Sequence, residues 1–290
     1  MLPRSLGRYL LVLVVLALAS VLAFTACGDE EEGAKLINIV TFDTNPLAVE
    51  DLRTGGADAN FSDFPVAVED AAQSDGALEV VEPQVDPQPY GIGIRKGSAE
   101  LKDVLQDAVD SIRASGEYDS ILAKWELEAT ALQPTGEETP AAETPTMIDI
   151  SGVPELQDGV LNVGSDISYA PFEFYQEGTE IADGLDVDMG TAIAEALGVE
   201  VEFINTGWDG IIPALQTEDF DVIMSAMTIT PDRSAEIDFV AYLSVGTGIV
   251  VPAGNPDNIH ELEDLCGLTV AVQVGTIQEQ MLNDQNKQCD

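Results

Sequence analysis

The chain has 290 residues, 45% of them hydrophobic, enough to bury the core of one large domain or two modest ones. Eleven Lys and Arg stand against 53 Asp and Glu, a formal net charge of −42 that repels phosphate backbones and excludes nucleic acid as a partner. One histidine, His260, and three cysteines, Cys27, Cys266 and Cys289, exclude a His-rich zinc site and a four-cysteine cluster. A serine triad would have to use His260, and no Gly-x-Ser-x-Gly elbow accompanies it. The composition suits a binder better than a catalyst, and no metal or cofactor is expected.

Met1–Ala26 reads as a signal peptide: Arg4 and Arg8 supply a charged start, Tyr9–Phe24 an apolar run, and small residues precede Cys27. The alternative is an uncleaved membrane anchor, for which the run is somewhat short. Either way the remainder is expected outside the cytoplasm. Residues 27–35 form an acidic tether.

Two segments, 36–133 and 160–290, carry periodic apolar residues. Between them, 134–159 is rich in Pro, Thr and Glu and reads as a flexible linker. In the first segment Leu36–Phe42 is a strand, Asn45-Pro46 opens a helix to about Thr54, and Ala57–Ser62 is a short strand. Leu78–Glu82 and Tyr90–Arg95 read as separate strands divided by Pro83, Pro87 and Pro89. Leu101, Val104, Leu105, Ala108, Val109 and Ile112 recur at helical spacing, and a second helix follows from about Tyr118 to Leu127.

In the second segment, strands at Val160–Ser165, Glu200–Asn205, Asp221–Met227, Val245–Val251 and Leu268–Val272 alternate with helices. The helices are Asp186–Leu197, stopped by Gly198, then Gly210–Gln216 and about 277–285. Such alternation predicts an α/β fold with mainly parallel sheets.

Between Trp125 and Asp232 there is no Lys or Arg, and beyond that the second segment has only Arg233 and Lys287. Arg233 closes Ser225-Ala226-Met-Thr228-Ile-Thr230-Pro-Asp-Arg233, where hydroxyls, strand-end N–H groups and one guanidinium could hold a carboxylate. A surface ion pair with Asp232 or Glu236 is the equal alternative. Asp63, just past a strand, could hold an ammonium group, although a helix cap before Pro65 is the plainer role. Tyr169, Phe172, Phe174 and Trp208 could line a pocket or fill a core. Gly275-Thr276-Ile277-Gln278 enters a helix and offers free N–H groups. His260 reads as a polar loop residue before Glu261.

The Thr-Ala-Cys27 ending of the leader resembles the lipobox of bacterial lipoproteins, with Phe24 where leucine is usual, which implies a lipid on Cys27. Both ordered segments resemble the bacterial extracellular solute-binding proteins of family 3, the receptors of amino-acid ABC transporters. The second segment looks like the amino-terminal half, through Asp166-Ile-Ser-Tyr169-Ala-Pro-Phe172-Glu-Phe174, Gly184-Leu-Asp186-Val-Asp188, Trp208-Asp-Gly210-Ile-Ile-Pro213, Thr228-Ile-Thr230-Pro-Asp-Arg233 and Val270-Ala-Val-Gln273-Val-Gly275-Thr276. The first looks like the carboxy-terminal half, through Ala57-Asp58-Ala59 before Asp63, Pro89-Tyr90-Gly91-Ile92, and Gly116-Glu-Tyr118-Asp ahead of Lys124-Trp125.

The resemblance implies a two-lobed periplasmic-binding-protein-like fold of type II with an amino acid held between the lobes. Arg233 would take its carboxylate, assisted by Thr228, the backbone at Ala226 and the N–H groups at Thr276 and Ile277. Asp63 would hold the ammonium group, Tyr169 and Trp208 would sandwich the ligand, and Asp166 and Gln273 would face its side chain. Asp166 and the acidic surface lean toward a polar or cationic ligand. The partners implied are an ABC permease with its ATPase, and the membrane through Cys27.

The halves stand in reversed order. Met147–Asp290 followed by Gly33–Leu132 would spell one domain, which implies a circular permutant or a fragment of a tandem gene. Cys266 and Cys289 match a cysteine pair that many relatives carry, and outside the cytoplasm they should form a disulfide. An enzyme on the same fold, a dehydratase or a wall-glycan lyase, is the runner-up. It would need a cleft glutamate of raised pKa.

Overall fold

The computed structural model describes residues 35–132 and 148–289. The leader, Cys27, the tether to Ala34 and linker residues 133–147 lie outside the described residues. The elements in chain order are β1 (Asn38–Phe42), α1 (Asn45–Thr54), β2 (Ala59–Asp63), α2 (Phe64–Ala72), β3 (Leu78–Arg95), α3 (Ala99–Ser115) and α4 (Glu117–Lys124). After the linker come β4 (Val160–Ser165), β5 (Phe174–Tyr175), β6 (Ala182–Asp183), α5 (Leu185–Leu197), β7 (Glu200–Asn205), α6 (Ile211–Gln216) and β8 (Val222–Ile223). Last are α7 (Pro231–Glu236), β9 (Ile237–Pro252), β10 (Thr269–Gln273) and α8 (Ile277–Gln285).

Eight strands hydrogen-bond in the order β1-β10-β2-β9-β3-β8-β4-β7. The ends of this ladder are parallel: β1 with β10 and β10 with β2 on one side, β4 with β7 and β8 on the other. The middle is antiparallel. β9 and β3 run along each other from Leu78↔Pro252 to Arg95↔Ile237 and pass from one end to the other. The expectation of mainly parallel sheets is therefore corrected to a mixed arrangement. Two parallel lobes are joined by a pair of long antiparallel strands.

Each lobe has its own core. Around β4 and β8, Leu161, Val163 and Val222 pack with Ile92 and Val240 of the crossing strands and with the inner faces of α3 and α5. All six apolar positions spaced along α3 are buried. Around β10, Val270 and Val272 pack with Ile37, Phe61, Ile249, Val251 and Leu282. Both cores draw residues from both sequence segments. Cys266 and Cys289 are joined by a disulfide, Cα–Cα 5.6 Å, which ties the end of α8 to the turn before β10.

Three sequence expectations are corrected. Pro83, Pro87 and Pro89 do not split the strand; the pairing of β3 with β9 shifts register between Val81 and Val85, around Pro83, and again before Gln88, around Pro87, while Pro89 stays in the ladder opposite Ser244. The strand expected over Asp221–Met227 is only Val222–Ile223, since Ala226 turns into positive φ. Residues 148–159, assigned to the flexible linker, are instead anchored: Val153 and Leu156 are buried in the first core, with Ile148 and Ile150 packed against it. Among the described residues no helix is long and apolar enough to cross a membrane.

Candidate ligand cleft between the lobes

Both lobes turn the carboxyl ends of their parallel strands toward one another, the usual place for a ligand in open α/β sheets. A cleft of about 330 Å³ lies there, and all ten residues singled out as ligand contacts line it. From the first lobe, Asp166 follows β4 directly, Tyr169 lies three residues further on, and Trp208 sits in the turn after β7. Ala226 and Thr228 follow β8, and Arg233 stands on α7. From the second lobe, Asp63 ends β2, Gln273 ends β10, and Thr276 and Ile277 open α8.

The open alternatives at Asp63 and Arg233 resolve. Asp63 holds the position before α2 but makes no side-chain cap there. Its carboxylate reaches into the cleft, where Oδ2 accepts from the Tyr169 hydroxyl at 2.7 Å and Oδ1 from Nε2 of Gln278 at 2.8 Å. Burial pushes Asp63 above the ordinary carboxylate range, against those hydrogen bonds and the charge of Arg233. Arg233 does not bond Asp232 or Glu236. Its guanidinium donates to the carbonyls of Thr228 at 2.9 Å and Gly275 at 3.4 Å and lies 5.0 Å over the ring of Trp208. Burial draws its pKa below that of a free arginine. Two opposite charges thus face one cavity, each partly stripped of water and neither in an ion pair with the other.

The far end of the cleft is acidic. Asp166 accepts from Gln273 of the opposite lobe at 2.8 Å and from Ser168 at 3.1 Å, and burial raises its pKa. Trp208 donates through Nε1 to the carbonyl of Gly275 at 3.2 Å. The aromatic residues separate: Tyr169 and Trp208 line the cleft, while Phe172 is buried in the core and Phe174 packs edge-on against Trp125.

One expected role changes. The N–H of Ala226, counted toward a carboxylate, is taken by Oδ2 of Asp186 at 2.8 Å. The group Ala226 can still offer is its carbonyl, an acceptor. The residue is held at φ 46°, where an alanine stays only if its surroundings keep it there. At the start of α8, Thr276 caps the helix by accepting from the N–H of Glu279, which leaves the earlier N–H groups of the first turn facing the cleft.

Sequence reasoning passed over three lining residues. Gln278 stands inside the helix-entry stretch Gly275–Gln278, which was read for its N–H groups and not for this side chain. Glu173 and Ser225 sit inside quoted motifs, but nothing in their spacing separates a cleft side chain from a core one.

Residues 161–289 match the profile of the bacterial extracellular solute-binding proteins, family 3. A probable histidine-binding protein of Campylobacter jejuni is 35% identical over 119 residues, 41% of this chain and 46% of that protein. The arginine-binding extracellular protein ArtP of Bacillus subtilis is 37% identical over 120 residues, again 41% and 46%. The chain thus spans about half the length of these relatives, and both carry the names of binding proteins. The crystal structure of the ancestral amino acid-binding protein AncCDT-1 is 38% identical and superposes over 46% of this chain and 59% of that one with a TM-score of 0.39. Over residues 161–289, the chain is similar to the bacterial extracellular solute-binding proteins, family 3.

Proposed function

We propose that the protein captures a free L-amino acid between its two lobes, outside the cytoplasm, and delivers it to an ABC permease and its ATPase. The observation that carries this reading is the pair Asp63 and Arg233: opposite charges from opposite lobes, in one cleft, each moved toward neutrality by burial. A zwitterion supplies the missing counter-charge to both, and closure of the lobes strengthens both contacts by excluding water.

Arg233, the hydroxyl of Thr228 and the N–H groups at Thr276 and Ile277 take the carboxylate. Asp63 and the carbonyl of Ala226 take the ammonium group. Tyr169 and Trp208 form the walls, and Asp166 with Gln273 meets the side chain. With Asp166 at that end a polar or cationic side chain is favoured, in keeping with relatives named for histidine and arginine. The mechanism is lobe closure without covalent chemistry or a cofactor. A lipid on Cys27 tethers the protein to the membrane.

The chain order is that of a circular permutant, Met147–Asp290 preceding Gly33–Leu132 in the unpermuted sense. In that order β10, α8 and β1 become a consecutive strand–helix–strand unit. The parallel pairing of β1 with β10 supports this, as do the bonds of the Asn286 side chain to the backbone of Ile37 at 2.6 and 3.2 Å.

Thermal unfolding of the purified protein against the twenty L-amino acids tests the reading. One or a few should raise the transition, by about 2.7 kcal/mol at 100 times their dissociation constant, and Arg233→Ala should abolish the rise. A cooperative transition that no amino acid moves contradicts the receptor reading. Loss of any transition marks a non-functional fragment. Glu173, a cleft carboxyl of raised pKa, favours the second reading, an enzyme on the same fold. Recovery of the bound amino acid unchanged after long incubation excludes it.

A further inference from the structure

At the floor of the cleft lie two buried carboxyl groups that the zwitterion contacts do not use, Glu173 in its lining and Asp186 behind it. Glu173 and Asp186 are both fully buried, and their partners can be assigned atom by atom. The Oγ of Ser225 accepts the N–H of Asp166 at 3.0 Å, so its own proton goes to Oε1 of Glu173 at 2.7 Å. Oδ2 of Asp186 accepts the N–H of Ala226, and the hydroxyl of Tyr242 lies 2.8 Å from both Asp186 oxygens. One atom is left over: Oε2 of Glu173 is buried and receives no donor.

An ionised carboxylate oxygen sealed from water without a donor is expensive. The same oxygen carrying a proton becomes a donor, and the carboxylate within hydrogen-bonding reach of Glu173 is Asp186. The other titratable groups around the pair are Asp166, from the loop after β4, and Tyr242, from β9. None of them supplies positive charge.

We infer that Glu173 and Asp186 share a single proton, and that this carboxylic acid–carboxylate pair is the positioning element of the Ser225–Ala226 peptide at the cleft floor. Glu173 holds the hydroxyl of Ser225. Asp186 holds the N–H of Ala226 and so keeps that residue at positive φ, with its carbonyl available to a ligand. Tyr242 ties the pair to a strand that passes between the lobes. Burial and the charge of Asp186 together push Glu173 well above the ordinary carboxyl range, and burial raises Asp186, so the second ionisation is the disfavoured one. Because the Glu173 pKa is raised in the folded state, the stability it contributes is present at low pH and is lost as pH rises through the folded value. The proton also keeps a third negative charge out of a cleft that already holds Asp63 and Asp166. That consequence for the ligand rests on the receptor reading; the shared proton does not.

The test is made first without ligand. In carbon-detected NMR of the side-chain carboxyl groups, one glutamate signal should keep the position of a protonated acid at neutral pH, and Glu173→Gln should remove it. Glu173→Gln places an amide donor where the proton sits, so it should melt within about 2 °C of the parent at neutral pH and lose less stability than the parent on the alkaline side. Asp186→Asn, which weakens the acceptor of two buried donors, should melt lower by about 6 °C or more. A Glu173 signal that titrates with the surface carboxylates overturns the inference, as does a Glu173→Gln variant that melts as low as Asp186→Asn. If Asp186→Asn does not fold, the parent spectrum and Glu173→Gln still decide. A confirmed shared proton in a protein that binds no amino acid would sink the receptor reading and leave this inference standing.

Discussion

The phenolic oxygen of Tyr169 donates to Oδ2 of Asp63 at 2.7 Å and accepts the backbone N–H of the same residue at 3.2 Å. The two residues belong to different lobes and lie 106 positions apart in the chain. With Gln273 bonded to Asp166, and with Trp208 and Arg233 bonded to the carbonyl of Gly275, this contact bridges the cleft. The interlobe bonds use the same side chains to which ligand roles are proposed.

Tyr169→Phe keeps the ring against Phe172 and removes only the hydroxyl. Asp63 then loses a side-chain donor while remaining buried. The expected cost is about 1–2 kcal/mol in denaturant unfolding of the ligand-free protein, read as a lower midpoint at unchanged slope. An unchanged midpoint would show that the bond across the cleft is not made in solution.

The disulfide between Cys266 and Cys289 closes a loop with a sequence separation of 23. Loop-closure entropy assigns it roughly 3 kcal/mol. Urea unfolding should therefore shift to a lower midpoint on adding reductant, and the double variant Cys266→Ala/Cys289→Ala should be insensitive to it. Equal midpoints with and without reductant in the parent protein would contradict the bridge.

Much of this architecture is legible in the residues. The helix at Asn45–Thr54, the strand at Glu200–Asn205 and the buried face of α3 follow from local signals alone: a proline in the first turn, β-branched alternation and 3.6-residue periodicity. The crossing strands were not legible. Proline spacing argues against one continuous strand at Leu78–Arg95, and only pairing with the sequence-distant β9, from Leu78↔Pro252 to Arg95↔Ile237, holds it extended. The cleft was legible through motif resemblance and not through chemistry. Asp63 looks like a helix cap because it occupies a capping position, and only Tyr169 and Gln278, distant in sequence, draw its side chain elsewhere. Glu173 and Asp186 were illegible as a pair for the same reason: α5 and the loop after β4 bring them together, and nothing local marks either one as neutral.

Asp70 gives a separate pH signature. Its Oδ2 accepts from Nδ2 of Asn45 at 2.9 Å, yet burial raises its pKa to about 6, with the charge of Glu69 adding to the shift. A carboxyl raised in the folded state favours folding at acid pH, and that contribution is lost as pH rises from near 4 through the folded value. Relative to Asp70→Asn, the parent should lose roughly 2 kcal/mol of stability between pH 4 and 7. Parallel pH profiles for the two proteins would contradict the assignment.

The most direct measurement for the central claim is calorimetric titration with the amino acid that produces the largest thermal shift, compared with its N-acetyl and carboxamide forms. If Asp63 and Arg233 each hold one end of a zwitterion, removing either ligand charge should weaken binding by roughly tenfold to a hundredfold or more. A blocked form that binds as tightly as the free amino acid would contradict the clamp.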